Sequence, residues 1–203
     1  MRMDTIISNM SATMQQMRGE GLFLTTKSRE TNTMIIGWGG INVYFRRPIF
    51  IVPVRVSRYT HELIDASTHF TVSVPRPGEL TKAIAFCGSK SGRDYDKFAE
   101  CGLTPVPGRA SEVPVIAECP LHYECEIIYK QHMDKDQLAP QIDSEVYPNS
   151  DYHTFYFGQI VECYSTEECP PLKAAKSPRS FPSPQSQPPR SLQTAAGSAV
   201  SDL

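Results

Sequence analysis

Gly21-Leu22-Phe23-Leu24-Thr25-Thr26-Lys27-Ser28-Arg29-Glu30-Thr31-Asn32-Thr33-Met34-Ile35-Ile36-Gly37-Trp38 sets two short runs rich in Leu, Phe, Thr and Ile on either side of one polar turn, Ser28-Arg29-Glu30-Thr31. That pattern predicts a β-hairpin. Upstream the period is different. Between Asp4 and Arg18, Ile7, Met10, Met14 and Met17 recur at steps of three and four, one face of an amphipathic helix closed by Gly19. A methionine stripe at this spacing reads as ordinary packing.

Downstream the chain stays mainly extended. Ile49 to Val56 predicts a third strand, in which Pro53 removes a ladder donor and marks an edge or a bulge. Ser57 to Ser67 reads as a helix with Leu63 and Ile64 inward and Ser57 as its cap. His69 to Val74 is a strand ended by Pro75-Arg76-Pro77-Gly78, and Glu79 to Phe86 and Tyr95 to Cys101 are short helices about the loop Gly88 to Gly92. Glu118 to Gln131 reads as a long half-buried strand, Asp134 to Val146 as one or two helical turns, and His153 to Tyr164 as a last strand. Nothing alternates strand and helix regularly enough for a doubly wound parallel sheet, so the expected fold is a mainly β antiparallel barrel with helical inserts.

Composition narrows the function classes. Of 203 residues, 40% are apolar and 21% charged, enough for a packed core. A net charge of −2 argues against a protein built to grip nucleic acid or an anionic membrane. The longest mostly apolar uncharged run, Pro48 to Val54, is far short of a membrane span. No apolar segment follows Arg2, so a secretory signal is not expected and the expected compartment is cytoplasmic. The six cysteines then read as reduced thiols. From Ser165 to Leu203 the chain carries seven prolines and eight serines with Phe181 as its one aromatic, the composition of a disordered tail, which leaves residues 1–164 as the working domain.

Three stretches point to a flat, phosphorylated ligand. In Gly88-Ser89-Lys90-Ser91-Gly92-Arg93 two glycines free backbone amides while Lys90, Arg93 and Lys97 add positive charge, a reasonable anion cradle, although the glycine spacing is not that of a P-loop. Arg55-Val56-Ser57-Arg58-Tyr59-Thr60 joins a strand end to a helix start, where guanidinium groups, hydroxyls and free amides suit a phosphate monoester. The run from Asn32 to Gly40 ends in the single Trp38 and three glycines, which lets a flat ligand approach the backbone. Each stretch taken alone also reads as an ordinary capped or solvated turn. Cys119, His122 and Cys125 invite a zinc reading, but on a strand His122 faces away from the two thiols, so no metal site is expected.

Together and in this order these stretches resemble the flavin reductase-like family, the FMN-binding split barrels that include flavoredoxin. The resemblance runs from about Glu20 to Tyr164. It rests on Asn32-Thr33-Met34 with Trp38-Gly39, on Arg55 with Arg58-Tyr59-Thr60, on Ser91-Gly92-Arg93-Asp94-Tyr95-Asp96-Lys97-Phe98, and on Asp151-Tyr152-His153-Thr154 with Phe157-Gly158-Gln159-Ile160. It implies a six-stranded antiparallel split barrel of Greek-key connection that forms a homodimer, with FMN held non-covalently near the interface. By the same resemblance Asn32 and Trp38 stand beside the flavin ring, Arg55, Ser57, Arg58 and Thr60 on the phosphate side, and Lys97 as a flavin-contacting lysine, with His153 and Phe157 on the closing strand. The expected cofactor-binding set is completed by Thr33, Met34, Tyr59, Lys90, Ser91, Gly92 and Arg93. No side chain is expected to act as acid or base, because the redox chemistry belongs to the flavin.

The function expected first is an FMN-dependent oxidoreductase that reduces flavin or passes electrons from NAD(P)H to an acceptor. The second is an FMN-carrying electron-transfer protein that lacks a nicotinamide site of its own and works with a redox partner protein. A third reading, single-stranded nucleic-acid binding with Trp38, Tyr44, Phe45, Arg46 and Arg47 as a stacking platform, is disfavoured by the net charge of −2.

Overall fold

A computed structural model describes residues 3–166. The Pro/Ser-rich segment expected to form a disordered tail lies outside the described residues, apart from Ser165 and Thr166. Helix α1 (Met3–Gly19) leads into strands β1 (Leu22–Lys27), β2 (Thr31–Ile36), β3 (Gly40–Tyr44) and β4 (Arg47–Arg55). Then come α2 (Tyr59–Asp65), β5 (His69–Val74), α3 (Thr81–Ser89), α4 (Lys97–Cys101), β6 (Pro105–Val106), β7 (Val115–Ile116) and β8 (Leu121–His132). A 3-10 turn (Lys135–Gln137), α5 (Pro140–Val146) and β9 (His153–Ser165) complete the order. Among the described residues no helix is long and apolar enough to cross a membrane.

The main sheet is antiparallel, in the order β2-β1-β5-β8-β9-β4-β3. The expected six strands are therefore seven, with β6 and β7 paired as a separate ribbon. The extra strand is β3, which the hairpin turn Phe45-Arg46 folds back onto β4 with Gly40 opposite Ile51 and Tyr44 opposite Arg47. The two end strands of the sheet, β2 and β3, are sequence neighbours joined by Gly37-Trp38-Gly39 without a ladder between them, so the barrel is split where the single Trp sits. Pro53 is not on an edge strand, since β4 lies between β3 and β9, but the β3 ladder ends at Ile51. Its ring faces Gly39, where no partner strand awaits a donor.

The core fills the barrel with Leu22, Leu24, Phe50, Val52, Phe70, Val72, Tyr123, Tyr156 and Ile160, and Ile6 and Met17 of α1 pack into it. Gly158 admits the Phe70 ring, which a Cβ there would strike. The buried face of α1 differs from the expected stripe: Ile6, Thr13, Gln16 and Met17 are buried, whereas Ile7 is 59% exposed and Met10 37%. The Thr13 hydroxyl lies 2.8 Å from Tyr123 Oη, and this pair turns a polar position inward. A second apolar cluster lies under α3 and α4, where Phe23, Ala83, Ile84, Cys87, Leu103, Ile116 and Cys119 meet. Thus β1 is buried on both faces, Leu22 and Leu24 to the barrel and Phe23 to the helices.

Local signals account for the elements that frame the site. Asp96 caps α4 by accepting from Phe98 N at 3.0 Å and Ala99 N at 3.2 Å, and Gly102 ends it at φ 63°. The expected loop at Gly88 is shorter than anticipated, because α3 runs on through Ser89. Ser57 does not cap α2. Arg58 holds the cap position without a side-chain bond, and the Ser57 hydroxyl donates to Asp151 Oδ2 at 2.6 Å.

Candidate functional site

β2, the start of α2 and the loop after α3 surround one cavity of about 140 Å³. Its walls carry Asn32 and Met34 from β2, Ser57, Arg58, Tyr59 and Thr60 from the β4–α2 junction, and Lys90, Ser91, Gly92, Arg93 and Lys97. A second cavity of about 120 Å³ adjoins it and shares Met34 and Arg58; it is also lined by Trp38, Pro53, Arg55 and His153 with residues 35–37. Fourteen of the sixteen residues expected to bind cofactor therefore line this pair of adjoining cavities. Thr33 and Phe157 do not line it. The Thr33 side chain donates back to Leu24 O, and only its carbonyl turns to the site, accepting from Lys97. Phe157 packs on the outer sheet face against Tyr129, with ring centroids 5.1 Å apart.

The cationic end is built on buried anchors. Lys97, 4% exposed, donates from Nζ to Thr33 O and to Cys87 O, each at 2.9 Å. Burial pulls its pKa below the usual lysine value. Asn32 Nδ2 donates to Thr60 Oγ1 at 2.8 Å, which leaves Oδ1 toward Gly92, where a Cβ would collide with it. Gly92 is thus required by close approach. Arg93 is less available than its position in the sequence implies: it pairs with Glu62, which also binds Arg29, and the two guanidinium groups hold the Glu62 carboxyl below its ordinary range. Arg58, common to both cavities, has no ion pair among the described residues. It is the cation best placed to meet an incoming anion.

The other end is aromatic. Trp38, 46% exposed, meets His153 edge to face with centroids 4.6 Å apart. Arg55 serves the wall: it donates to Asp151 O at 2.8 Å and Val146 O at 3.1 Å and lies over the Tyr147 ring. His153 Nδ1 lies 2.8 Å from Tyr147 Oη. Burial, followed by Arg55, lowers the His153 pKa to about 4, so the ring is neutral near pH 7. Sequence reasoning missed Tyr147, which meets the site through His153 and Arg55, and Cys87, whose position within a helix gave no sign that it lines the cavity. The strand expected to be half-buried is buried on both faces at its start: His122 and Glu124 of β8 are fully buried, as are Tyr123 and Cys125, and the carboxylate accepts from the amides of Arg109, Ala110 and Ser111 at 2.6 to 2.9 Å.

The donor set fits FMN: unpaired positive charge and hydroxyls at one end, an aromatic and glycine-bounded wall at the other, and a glycine whose missing Cβ keeps the loop close. Comparison with known proteins gives the same direction. A family model described as "Flavin reductase like domain" matches residues 14–177. A protein of Archaeoglobus fulgidus described as uncharacterized is 34% identical over 97 residues, covering 48% of this chain and 54% of its own length. A Pyrococcus abyssi protein, also described as uncharacterized, is 30% identical over 142 residues, covering 68% of this chain and 69% of its own. The chain thus spans about half the length of the first relative and about two thirds of the second. Flavoredoxin of Desulfovibrio vulgaris (Miyazaki F) superposes with a TM-score of 0.59 at 27% identity, covering 73% of this chain and 70% of that one.

Proposed function

The chain belongs to the flavin reductase-like family, and we propose that its groove holds FMN and that the protein is an oxidoreductase passing electrons from NAD(P)H to an acceptor. The observation that carries this reading is that Met34 and Arg58 line both cavities, which sets cationic and aromatic walls side by side. Arg58 and Lys90 would neutralise the phosphate, with Ser91 and Asn32 as polar partners. Trp38 and residues 35–37 would receive the ring. Bound FMN supplies hydride acceptance and release of electrons one or two at a time. Neutral His153 holds a ring nitrogen at the aromatic end, and Lys97 keeps the loop after α3 fastened to β2.

Titration with FMN and with riboflavin, which lacks the phosphate, tests the assignment. Arg58→Ala with Lys90→Ala is expected to weaken FMN at least tenfold and riboflavin less than twofold. Equal loss for both ligands overturns the phosphate assignment.

The electron carrier without a nicotinamide site is the second reading, favoured by the 27% identity to a protein named flavoredoxin. Anaerobic addition of NADH and then NADPH to the flavin-loaded protein separates the two. Bleaching of the visible flavin bands by either nucleotide alone supports the reductase; bleaching only with a partner protein supports the carrier.

The oligomer in this reading is a homodimer. Val43, Tyr44 and Phe45 are 68%, 45% and 67% exposed on the β3–β4 hairpin, and Tyr44 continues onto Phe157 with centroids 5.9 Å apart. An aromatic strip of this kind on one sheet face suits a second copy. Both cavities are also smaller than the ~300 Å³ at which closed small-molecule sites begin, as for a groove that a partner completes. Light scattering is expected to give twice the chain mass, and Phe45→Asp to give the monomer.

A further inference from the structure

Cys87 near the end of α3 and Cys101 at the end of α4 bring their sulfur atoms to 3.9 Å, in van der Waals contact across the interface of the two helices. Cys87 is 1% exposed and Cys101 partly exposed, and both belong to the apolar cluster beneath the helices. Two further contacts tie this pair to the site. Cys87 lines the cationic cavity, and its carbonyl accepts from Lys97, which sits one helical turn before Cys101 on α4.

We propose that Cys87 and Cys101 form a two-electron redox site that takes a hydroperoxide and closes to a disulfide. Cys101, the less buried residue of the two, reacts first. Its thiolate attacks the peroxide, an S–O bond forms as the O–O bond breaks, and the departing oxygen takes a proton to leave as water or an alcohol. The Cys87 sulfur then attacks the sulfenic sulfur, an S–S bond forms as the S–O bond breaks, and hydroxide leaves with the Cys87 proton as water. Two thiols and one hydroperoxide become one disulfide, one alcohol or water, and one water. Burial, then the neighbouring Cys101, pushes the Cys87 thiol up to about 12, so Cys87 is protonated when Cys101 meets the peroxide.

Geometry favours closure. A disulfide needs the sulfurs about 2 Å apart, a distance the pair reaches by side-chain rotation and a small approach of α4, whose five residues end at Gly102. The bridge would fasten α4 to α3 and stiffen the wall that carries Lys97, a consequence that rests on the cavity being a ligand site. The thiol chemistry itself does not depend on flavin.

The test uses the full chain, reduced, freed of reductant and treated with hydrogen peroxide. Intact mass is expected to fall by about 2 Da, and trypsin to release peptide 83–90 linked to peptide 98–109, each of which contains a single cysteine. Oxidised protein is expected to melt several degrees above the reduced form, because the cross-link restricts the unfolded chain. In Cys101→Ala both the link and the rise in Tm disappear, and in Cys87→Ser dimedone traps Cys101 as the sulfenic acid. A link between other cysteines, or oxidation of Cys101 to the sulfinic acid without a bridge in the wild-type chain, overturns the proposal. Both readouts are made without FMN, so they stand whether or not the chain binds it.

Discussion

Tyr147 Oη lies 2.8 Å from His153 Nδ1, and both side chains are buried at the aromatic end of the groove. The neutral ring has one acceptor and one donor nitrogen. If the tyrosine donates, Nδ1 is the acceptor and the ring proton stays on Nε2, which has no partner among the described residues. Stacking of Tyr147 on Tyr152 at 5.0 Å and the Arg55 guanidinium over its ring hold the tyrosine in place. Tyr147→Phe removes this bond while keeping the ring. Nitrogen-15 NMR of the ring is expected to show loss of the single Nε2–H tautomer. Flavin affinity is expected to fall several-fold, about the worth of one hydrogen bond of ~1 kcal/mol. An unchanged tautomer with unchanged affinity would remove Tyr147 from the site.

His122 predicts an acid-sensitive stability. It is fully buried against Ser73, with Glu124, Arg109 and Tyr164 as its charged or titratable neighbours, and burial lowers its pKa to about 4. In the unfolded chain the imidazole takes a proton below about 6.5, whereas the folded one stays neutral to about pH 4. The unfolded state therefore binds more protons in that window, and stability falls as pH drops through it. His153 adds a contribution of the same sign over the same range. His122→Gln removes the titrating group, so its urea midpoint is expected to depend less on pH between 6.5 and 4. Parallel profiles for both proteins would contradict this account.

How much of this was readable in the sequence depends on the range of the interaction. The hairpin about residues 28–31 and the end of α4 at Cys101 are set by neighbours within a few residues, and the structure keeps them, although the helix expected from Tyr95 starts at Lys97 behind its Asp96 cap. The inward turn of Thr13 depends on Tyr123, 110 residues away, so the methionine spacing misjudged the buried face of α1. In the groove, residue types and order were legible, but the charge each cation brings was not. Arg93 looks as free as Arg58 in sequence, and only the fold brings Glu62 to it. Cys87 and Cys101 follow no periodic pattern, and the helix–helix contact alone makes them neighbours.

Glu124 tests how firmly the loop over β8 is held. Three backbone amides of residues 109–111 point at one buried carboxylate, and Gly108 has no room for a side chain beside it. Glu124→Ala leaves those amides without an acceptor, at about 1–3 kcal/mol for each that water does not reach. The expected cost is about 3 kcal/mol or more, together with rapid hydrogen exchange at residues 109–111. A loss below ~1 kcal/mol with protected amides would show that the loop has other support.

The β3–β4 turn carries a conflict between stability and surface. Phe45 and Arg46 both have positive φ, 53° and 57°, in a two-residue hairpin loop, the arrangement that Asn-Gly adopts with least strain. A phenylalanine and an arginine there are costly to the folded monomer, and Phe45 is 67% exposed. Replacing the pair by Asn-Gly relieves the backbone and is expected to raise monomer stability by about 1 kcal/mol, measured by denaturation at high dilution. The same change deletes the aromatic side chain proposed to meet a second copy, so the dimer dissociation constant is expected to rise at least tenfold in sedimentation. Opposite signs in the two measurements are the signature of a residue kept for association at the expense of the turn. A stabilised variant that dimerises as well as the parent would move the interface away from this hairpin.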